Sequence, residues 1–546
     1  MRQTVLMLLL FGWVNVYAGT DLAPLQSLAV QDGGRVKPFD SFARESLLKL
    51  AGRASWEKEP GVKLPALEVL ADLMLGTNDW EQAKLIRCGY RPLKQKLGLT
   101  EDRNFFSFAE LAGNRELERM VGELSARNER TSDMSRVESE ASSLWEKLHG
   151  LQGLTTGNAI KLVPPMGGKA AGWLAVKDAP KVHGTNGVAL LTAFSVMTRA
   201  YRSSDDAGLA LAAAAFKSAV QRLAPQSYPD ELTVKRELTY NRLHPFRLSW
   251  MFYLLSFIML LPARGRAGRP GLFYWPGMVL FVIALGLQVY GFTLRCLIAG
   301  RPPVTNMYEV VIWMALGAAV FALGFELYYR NRIFALAAAA VSVLGLVLAD
   351  NLPTVLDPSI QPLVPVLKSN YWLTVHVLTI TMGYAAFMLA LGLGHVVVGY
   401  YVFKPKAQAK IDELTQFNYR TMQIGVLFLT AGTILGGLWA EQSWGRFWGW
   451  DPKETWALIA LLSYLVVLHG RFAGWMGGFA LNVASIVCFQ TIIMAAYGVN
   501  YVLGRGLHSY GFGVGGEWAV GSYVALEFLL VGLAVWRYKL AKATAK

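Results

Sequence analysis

From residue 246 onward the chain is a succession of long apolar runs separated by short, often basic, connections. About nine of them approach the ~20 apolar residues that one helical crossing of a bilayer needs. They cover approximately 247–263, 272–294, 308–328, 333–350, 372–403, 419–439, 455–470, 475–497 and 518–537. Backbone N–H and C=O groups find no water partner in hydrocarbon, so a chain of this kind must pair them internally, within helices. The expected fold is therefore mainly α, with a polytopic membrane helix bundle over 246–540. The fifth run is long enough to tilt or to project beyond the bilayer.

Residues 20–245 are of a different kind. Charged residues make up only 16% of the whole chain, against about 25% in soluble domains, and the deficit lies in the second part. The first carries ordinary charge and reads as a soluble, mostly helical domain. Apolar spacing at 65–75 and 207–223 is helical. The charged stretch 112–149 reads as a long solvated helix, and the Gly, Pro and Thr clusters of 154–186 read as loops. Residues 1–18 have Arg2, an apolar stretch from Val5 to Trp13 and Val16-Tyr17-Ala18, the layout of a secretory signal peptide or an uncleaved signal anchor. Either reading sends 20–245 outside.

The net charge of +14 reports topology. Starting from outside, nine crossings put Arg264, Arg266 and Arg269, then Arg330 and Arg332, then Lys404, Lys406 and Lys410, then Arg471, and finally Arg537 to Lys546 on the inner side. That is the positive-inside bias. The expected location is the bacterial inner (cytoplasmic) membrane, with the C-terminus cytoplasmic. No basic helix or aromatic-basic sheet pattern points to nucleic acid. The three cysteines, Cys88, Cys296 and Cys488, have no CxxC spacing, so no zinc, thioredoxin-like or cytochrome c motif lies in the chain. Cys88 and Cys296 fall in or beside outer segments and could pair; Cys488 reads as a small buried residue.

The same topology puts 295–307, 351–371, 440–454 and 498–517 outside. The third holds the densest aromatic cluster: four of the thirteen residues Trp444 to Trp456 are tryptophan, at 444, 448, 450 and 456, with Phe447 among them. An interfacial belt needs only a ring or two at a helix end. A denser surface suits a large flat aromatic ligand. Asp451, Pro452 and Glu454 also fit N-cap, N1 and N3 of the next helix, which leaves a ligand role for Asp451 open. Arg446 and Lys453 could meet carboxylates of the ligand or stay solvated.

Of seven histidines, His376 falls four residues into the fifth span at the outer interface, and His508 in the last outer loop. Two imidazoles beside an aromatic surface form a site for bis-imidazole iron porphyrin. His469, at the end of the seventh span, lies roughly 20 Å below the outer loop at 1.5 Å per residue. His395 is also deep. Ionisable groups at that depth are costly and default to function; His469 is taken as a ligand, whereas His395 reads more simply as a neutral core histidine. His244, beside Pro245, reads as a helix-start residue, and His149 and His183 have no evident role.

Together these residues resemble the CcsA/ResC branch of the WWD-domain haem-handling family, the membrane component of system II cytochrome c synthesis. The resemblance covers roughly 270–535. It rests on Gly300 to Glu309, Tyr371 to His376, the Trp-rich loop with Trp450-Asp451-Pro452-Lys453-Glu454-Thr455-Trp456, Leu468-His469-Gly470-Arg471 and Leu507-His508-Ser509-Tyr510. It implies His376 and His508 as axial ligands of an outer haem, His469 as one ligand of a deeper haem, haem b as bound substrate, and apocytochrome c (CxxCH) as acceptor. Residues 28–45, including Gly33-Gly34-Arg35-Val36-Lys37-Pro38, resemble the segment that precedes this module in fused synthases. The extra spans of the CcsB/ResB partner, which carry another deep histidine, are not in this sequence. A separate CcsB/ResB-like subunit is therefore expected, with His395 as the alternative second ligand.

The implied activity is holocytochrome c synthase (haem lyase) in complex with that partner, working by orientation and axial ligation, without an acid–base dyad. Two other classes use similar residues. A haem transporter or chaperone would move haem and leave apocytochrome unmodified. A respiratory electron-transfer subunit would place paired histidines within facing spans, whereas the best pair here is at the outer surface.

Overall fold

The computed structural model describes residues 21–59, 61–127, 134–166, 172–263, 271–330, 333–363, 369–503 and 515–544. The proposed signal at 1–18 lies outside these residues, as does His508.

Two hydrophobic cores organise the chain. The first runs from Leu22 to Val220. Strands β1 (Ala29–Asp32) and β2 (Arg35–Pro38) form a hairpin whose turn is Gly33-Gly34, both at positive φ, the backbone that two-residue hairpin turns demand. With β3 (Lys161–Val163) and β4 (Leu174–Ala175) they make a four-stranded sheet in the order β2-β1-β3-β4. Around it pack helices α1 (Phe39–Ala51), α2 (Ala66–Leu75), α3 (Arg136–Thr155), α4 (Ala179–Arg202) and α5 (Asp206–Leu223). The helices expected at 65–75 and 207–223 are α2 and α5. The charged 112–149 stretch is not one solvated helix. It contains Arg115–Arg127 and α3, and Ala141, Leu144, Leu148, Leu151 and Leu154 form a buried stripe along α3. The charges masked an apolar face at helical spacing. The expected loop 154–186 also contains β3, β4 and the start of α4.

Helix α6 (Glu231–Leu243) leads into α7 (Pro245–Leu260) through His244, at φ +47. Then follow α8 (Tyr274–Ala299), α9 (Met307–Tyr329), α10 (Phe334–Asn351), α11 (Leu378–Phe403), α12 (Gln408–Trp444), α13 (Pro452–Phe472), α14 (Gly478–Ile493) and α15 (Glu517–Thr544). Among the described residues, nine helical segments are long and apolar enough to cross a membrane, and their side chains share the second core. The chain is a multi-pass membrane protein of mainly α class. The sixth span begins at Gln408, not near 419, because the polar residues 408–420 continue the helix beyond the apolar stretch. The fifth and eighth spans are not uniform α-helix: π-helical turns occupy Leu373–Val377 and Met494–Leu503.

Candidate functional site

The N-terminal end of α11 meets the C-terminal end of α12 where the chain is richest in glycine and tryptophan. The approach of the two helices is set by small residues. A Cβ on Gly432 would stand 2.6 Å from the Cα of Ile380, and one on Gly436 would stand 2.7 Å from Cε1 of His376. His376 lies in the π-helical turn, a distortion frequent at functional sites. Its Nδ1 donates to the carbonyl oxygen of Gly432 at 2.8 Å, and its ring lies 5.6 Å from that of Trp439.

This imidazole borders an open pocket lined also by Trp439, Trp444, Phe447 and Trp448. Val304, Thr305, Asn306 and Met307 form another wall, and Lys453, Glu454 and Asn500 add polar groups. Lys453 Nζ donates to Asn500 Oδ1 at 3.1 Å.

The loop after α12 is anchored by its own backbone. Asp451 caps α13 in a capping box: its carboxylate accepts from Lys453 N at 2.9 Å, and Glu454 Oε2 accepts from Asp451 N at 3.1 Å and from Gly449 N at 2.7 Å. Arg446 lies over Gly449, close enough that a Cβ there would collide with its guanidinium, and sits 3.7 Å from Glu454. Trp450 occupies the left-handed region at φ +57 and is 70% exposed. A bulky residue is strained there, and such strain clusters at ligand clamps and switch regions.

The structure therefore brings His376, Trp444 and Trp448 to one pocket, whereas Trp450, Trp456, Asp451 and Arg446 do not line it. Trp450 stays in touch through an edge-to-face contact with Trp448, 5.9 Å between centroids. His508 follows the π-helical turn Met494–Leu503 within the residues not described. Trp439, Gly436 and Asn500 went unnoticed in the sequence. The Gly436-Gly437 pair inside an apolar span was the signal for close approach.

The deep histidines differ from each other. His469 lies on an exposed face of α13, with Nδ1 2.8 Å from the carbonyl oxygen of Leu465. His395 has both nitrogens engaged, Nδ1 with the carbonyl oxygen of Leu391 at 2.9 Å and Nε2 with Glu527 Oε2 at 2.9 Å. It ties α15 to α11. An iron at its Nε2 would have to displace Glu527. All three cysteines are free thiols; the considered Cys88–Cys296 bridge is not formed, and Cys88 belongs to the first core.

Comparison with known proteins places this sequence in a family. Residues 304–508 match the model of the cytochrome C assembly protein family. The protein NrfI of Wolinella succinogenes is 30% identical over 505 residues, 88% of this chain and 53% of NrfI, so the chain spans about half the length of that relative. The cytochrome c biogenesis protein CcsA of a Synechococcus species is 32% identical over 308 residues, 49% of this chain and 98% of that protein. CcsA of Prochlorococcus marinus is 36% identical over 264 residues, 42% of this chain and 81% of the relative. On this similarity, the chain belongs to the CcsA family of cytochrome c biogenesis proteins.

Proposed function

We propose that the chain binds haem b in the pocket beside His376, on the outer face of the bacterial inner membrane, and presents it for covalent attachment to apocytochrome c. The observation that carries this reading is the imidazole of His376 set against Trp439, Trp444, Phe447 and Trp448 in one pocket. A carbonyl only accepts, so the hydrogen bond to Gly432 keeps the proton on Nδ1 and the lone pair on Nε2. Such donation also fixes ring orientation and raises ligand basicity. His508 is the second axial ligand. The tryptophans cover the porphyrin, and Lys453 meets a propionate.

Apocytochrome brings two thiols and a histidine. Each S–H adds across a vinyl group: sulfur bonds to one vinyl carbon, hydrogen to the other, and the C=C bond becomes single. The addition is redox-neutral and requires no acid–base dyad from this chain, whose contribution is orientation. His469, exposed on α13, is one ligand of a deeper haem whose second ligand comes from a CcsB/ResB-like subunit. The engagement of both His395 nitrogens argues against His395 in that role.

Co-expression with that subunit and a CxxCH apocytochrome tests the reading. His376→Ala should abolish covalent haem staining of the cytochrome, and added imidazole should restore part of it by filling the vacancy. Wild-type staining in His376→Ala without imidazole contradicts the assignment. An unmodified apocytochrome with wild type, despite bound haem, favours a transporter.

A further inference from the structure

The segment Gly33 to Glu45 has no part in the chemistry above, yet almost all its polar groups are committed. Arg35 makes a bidentate pair with Glu237 on α6, at 2.7 and 2.8 Å. Lys37, fully buried, pairs with Glu45 and, at 2.9 Å, with Asp32. Asp40 and Ser41 both accept from Asn241 Nδ2, at 2.9 and 2.8 Å. Glu237 and Asn241 are four residues apart on one face of α6, so the hairpin and α1 grip that helix along a single stripe.

From this grip two routes lead to the pocket wall. One runs along α6: Tyr240 accepts from Arg295 Nη1 at 3.0 Å, and Arg295, entirely buried, donates from Nη2 to Glu309 Oε1 at 2.6 Å. Glu309 Oε2 accepts from both the N–H and the hydroxyl of Thr305, each at 2.8 Å. The other runs from the hairpin tip. A Cβ on Gly33 would stand 3.2 Å from Gln361 Oε1, and one on Gly34 3.5 Å from Pro362. The Gln361 carbonyl accepts from Arg301, which also donates to Thr305 Oγ1 at 2.6 Å. Both routes end on Thr305, which lines the same pocket as His376, together with Val304, Asn306 and Met307.

We infer that the β1–β2 hairpin, through Gly33 and Arg35, positions the Val304–Met307 wall and so sets how the pocket holds its ligand. This rests on the haem reading above. Neither residue reaches the pocket; both are positioning residues. The glycines at the tip permit the close seat on Gln361-Pro362, and the fork of Arg35 requires a planar guanidinium, which lysine cannot replace.

The test uses the full chain, purified with its bound haem, in four forms besides wild type: Gly33→Ala, Arg35→Lys, Glu237→Gln and Asp72→Asn. The last is a control elsewhere in the first core, where Asp72 accepts from Asn78 and Trp80 at 2.8 Å each. Hydrogen exchange over 301–309 reads the wall without reference to haem, and the haem midpoint potential reads the consequence. The expected result is several-fold faster exchange at 301–309 and a shifted potential in the first three variants, with neither change in Asp72→Asn. If Arg35→Lys fails to fold, Gly33→Ala, which removes no partner, carries the same expectation. Unchanged exchange in the hairpin variants overturns the inference whether or not haem is bound. Faster exchange with an unchanged potential overturns it too, since the wall would then move without affecting the ligand. A wild type without haem whose wall still responds to Arg35→Lys refutes the haem reading, and the inference's claim about the ligand with it, while the mechanical link stands.

Discussion

His376 and Gly432 are joined by a 2.8 Å hydrogen bond from ring Nδ1 to backbone carbonyl, linking the π-helical turn before α11 to the middle of α12. One turn further along α12, Gly436 leaves the space that the ring fills. The backbone carbonyl of Gly432 thus fixes the tautomer and helps to set the orientation of the ring.

Gly436 is accordingly the residue that tests pre-organisation. Gly436→Val places a Cβ 2.7 Å from Cε1 of His376, while keeping every hydrogen-bonding side chain. Haem per protein should fall at least tenfold, a ~1.4 kcal/mol change in equilibrium, with circular dichroism still helical. Wild-type haem content in a folded Gly436→Val would mean that His376 is not held where binding requires it.

Asp451 has a structural task that can be separated from a ligand role. Losing an N-cap costs about 0.5–2 kcal/mol, and asparagine caps nearly as well as aspartate. Asp451→Ala should therefore lower the unfolding midpoint, whereas Asp451→Asn retains stability and haem content. If Asp451→Asn keeps stability and loses haem, the carboxylate meets the ligand.

The two deep histidines should respond differently. His469→Ala removes an exposed side chain, so stability stays within about 0.5 kcal/mol, and the outer-site spectrum is retained. Haem that appears only with the partner subunit is lost. His395→Ala breaks the bond to Glu527 and loosens α15, yet leaves that partner-dependent haem in place. Spectra of both variants, each with and without the partner, check the assignment; loss of deep haem in His395→Ala alone would reverse it.

The cysteines offer a test of the first core. Burial pushes the Cys88 thiol up, so less of it is thiolate at a given pH. Maleimide should leave Cys88 unmodified in folded protein at pH 7 and label it after denaturation. Mass spectrometry without reductant should find no Cys88–Cys296 bridge.

Acid should weaken the hairpin region. Burial raises the Asp32 carboxyl, but the charge and hydrogen bond of Lys37, with Lys49 and Lys161, bring it below its usual 3.8. A depressed carboxyl contributes stability that is fully present above the unfolded value and is lost as pH falls through the folded one. The Asp32 contribution should begin to decline below about pH 4, near the unfolded value, and Asp32→Asn should flatten that limb of an unfolding-versus-pH curve. An unaltered limb would mean that the pair with Lys37 contributes nothing.

The nine long apolar helices among the described residues were legible because the length of each apolar run is itself a strong constraint. The sharing of one pocket by His376, Trp444 and Trp448 was foreshadowed by an imidazole at a span end and a local cluster of indoles, both of which stand out in an apolar sequence. Three things were not. The Gly436-Gly437 pair hints at close approach, but neither Gly436 nor Trp439 names its partner until α11 packs on α12. The engagement of His395 depends on Glu527, 132 residues away, which no local pattern links to it. The buried face of α3 was hidden by charges on its other faces, so the charged stretch read as solvated. Local periodicity carries elements, and only packing carries their partners.

The central claim is that His376 and His508 hold haem at the outer pocket. Its most direct test is the oxidised and reduced absorption spectrum of the purified chain, with and without a CcsB/ResB-like subunit, beside the His376→Ala/His508→Ala double variant. The account predicts a low-spin bis-imidazole spectrum in wild type that the double variant loses. An unchanged spectrum in the double variant, or no haem in any preparation, would contradict it.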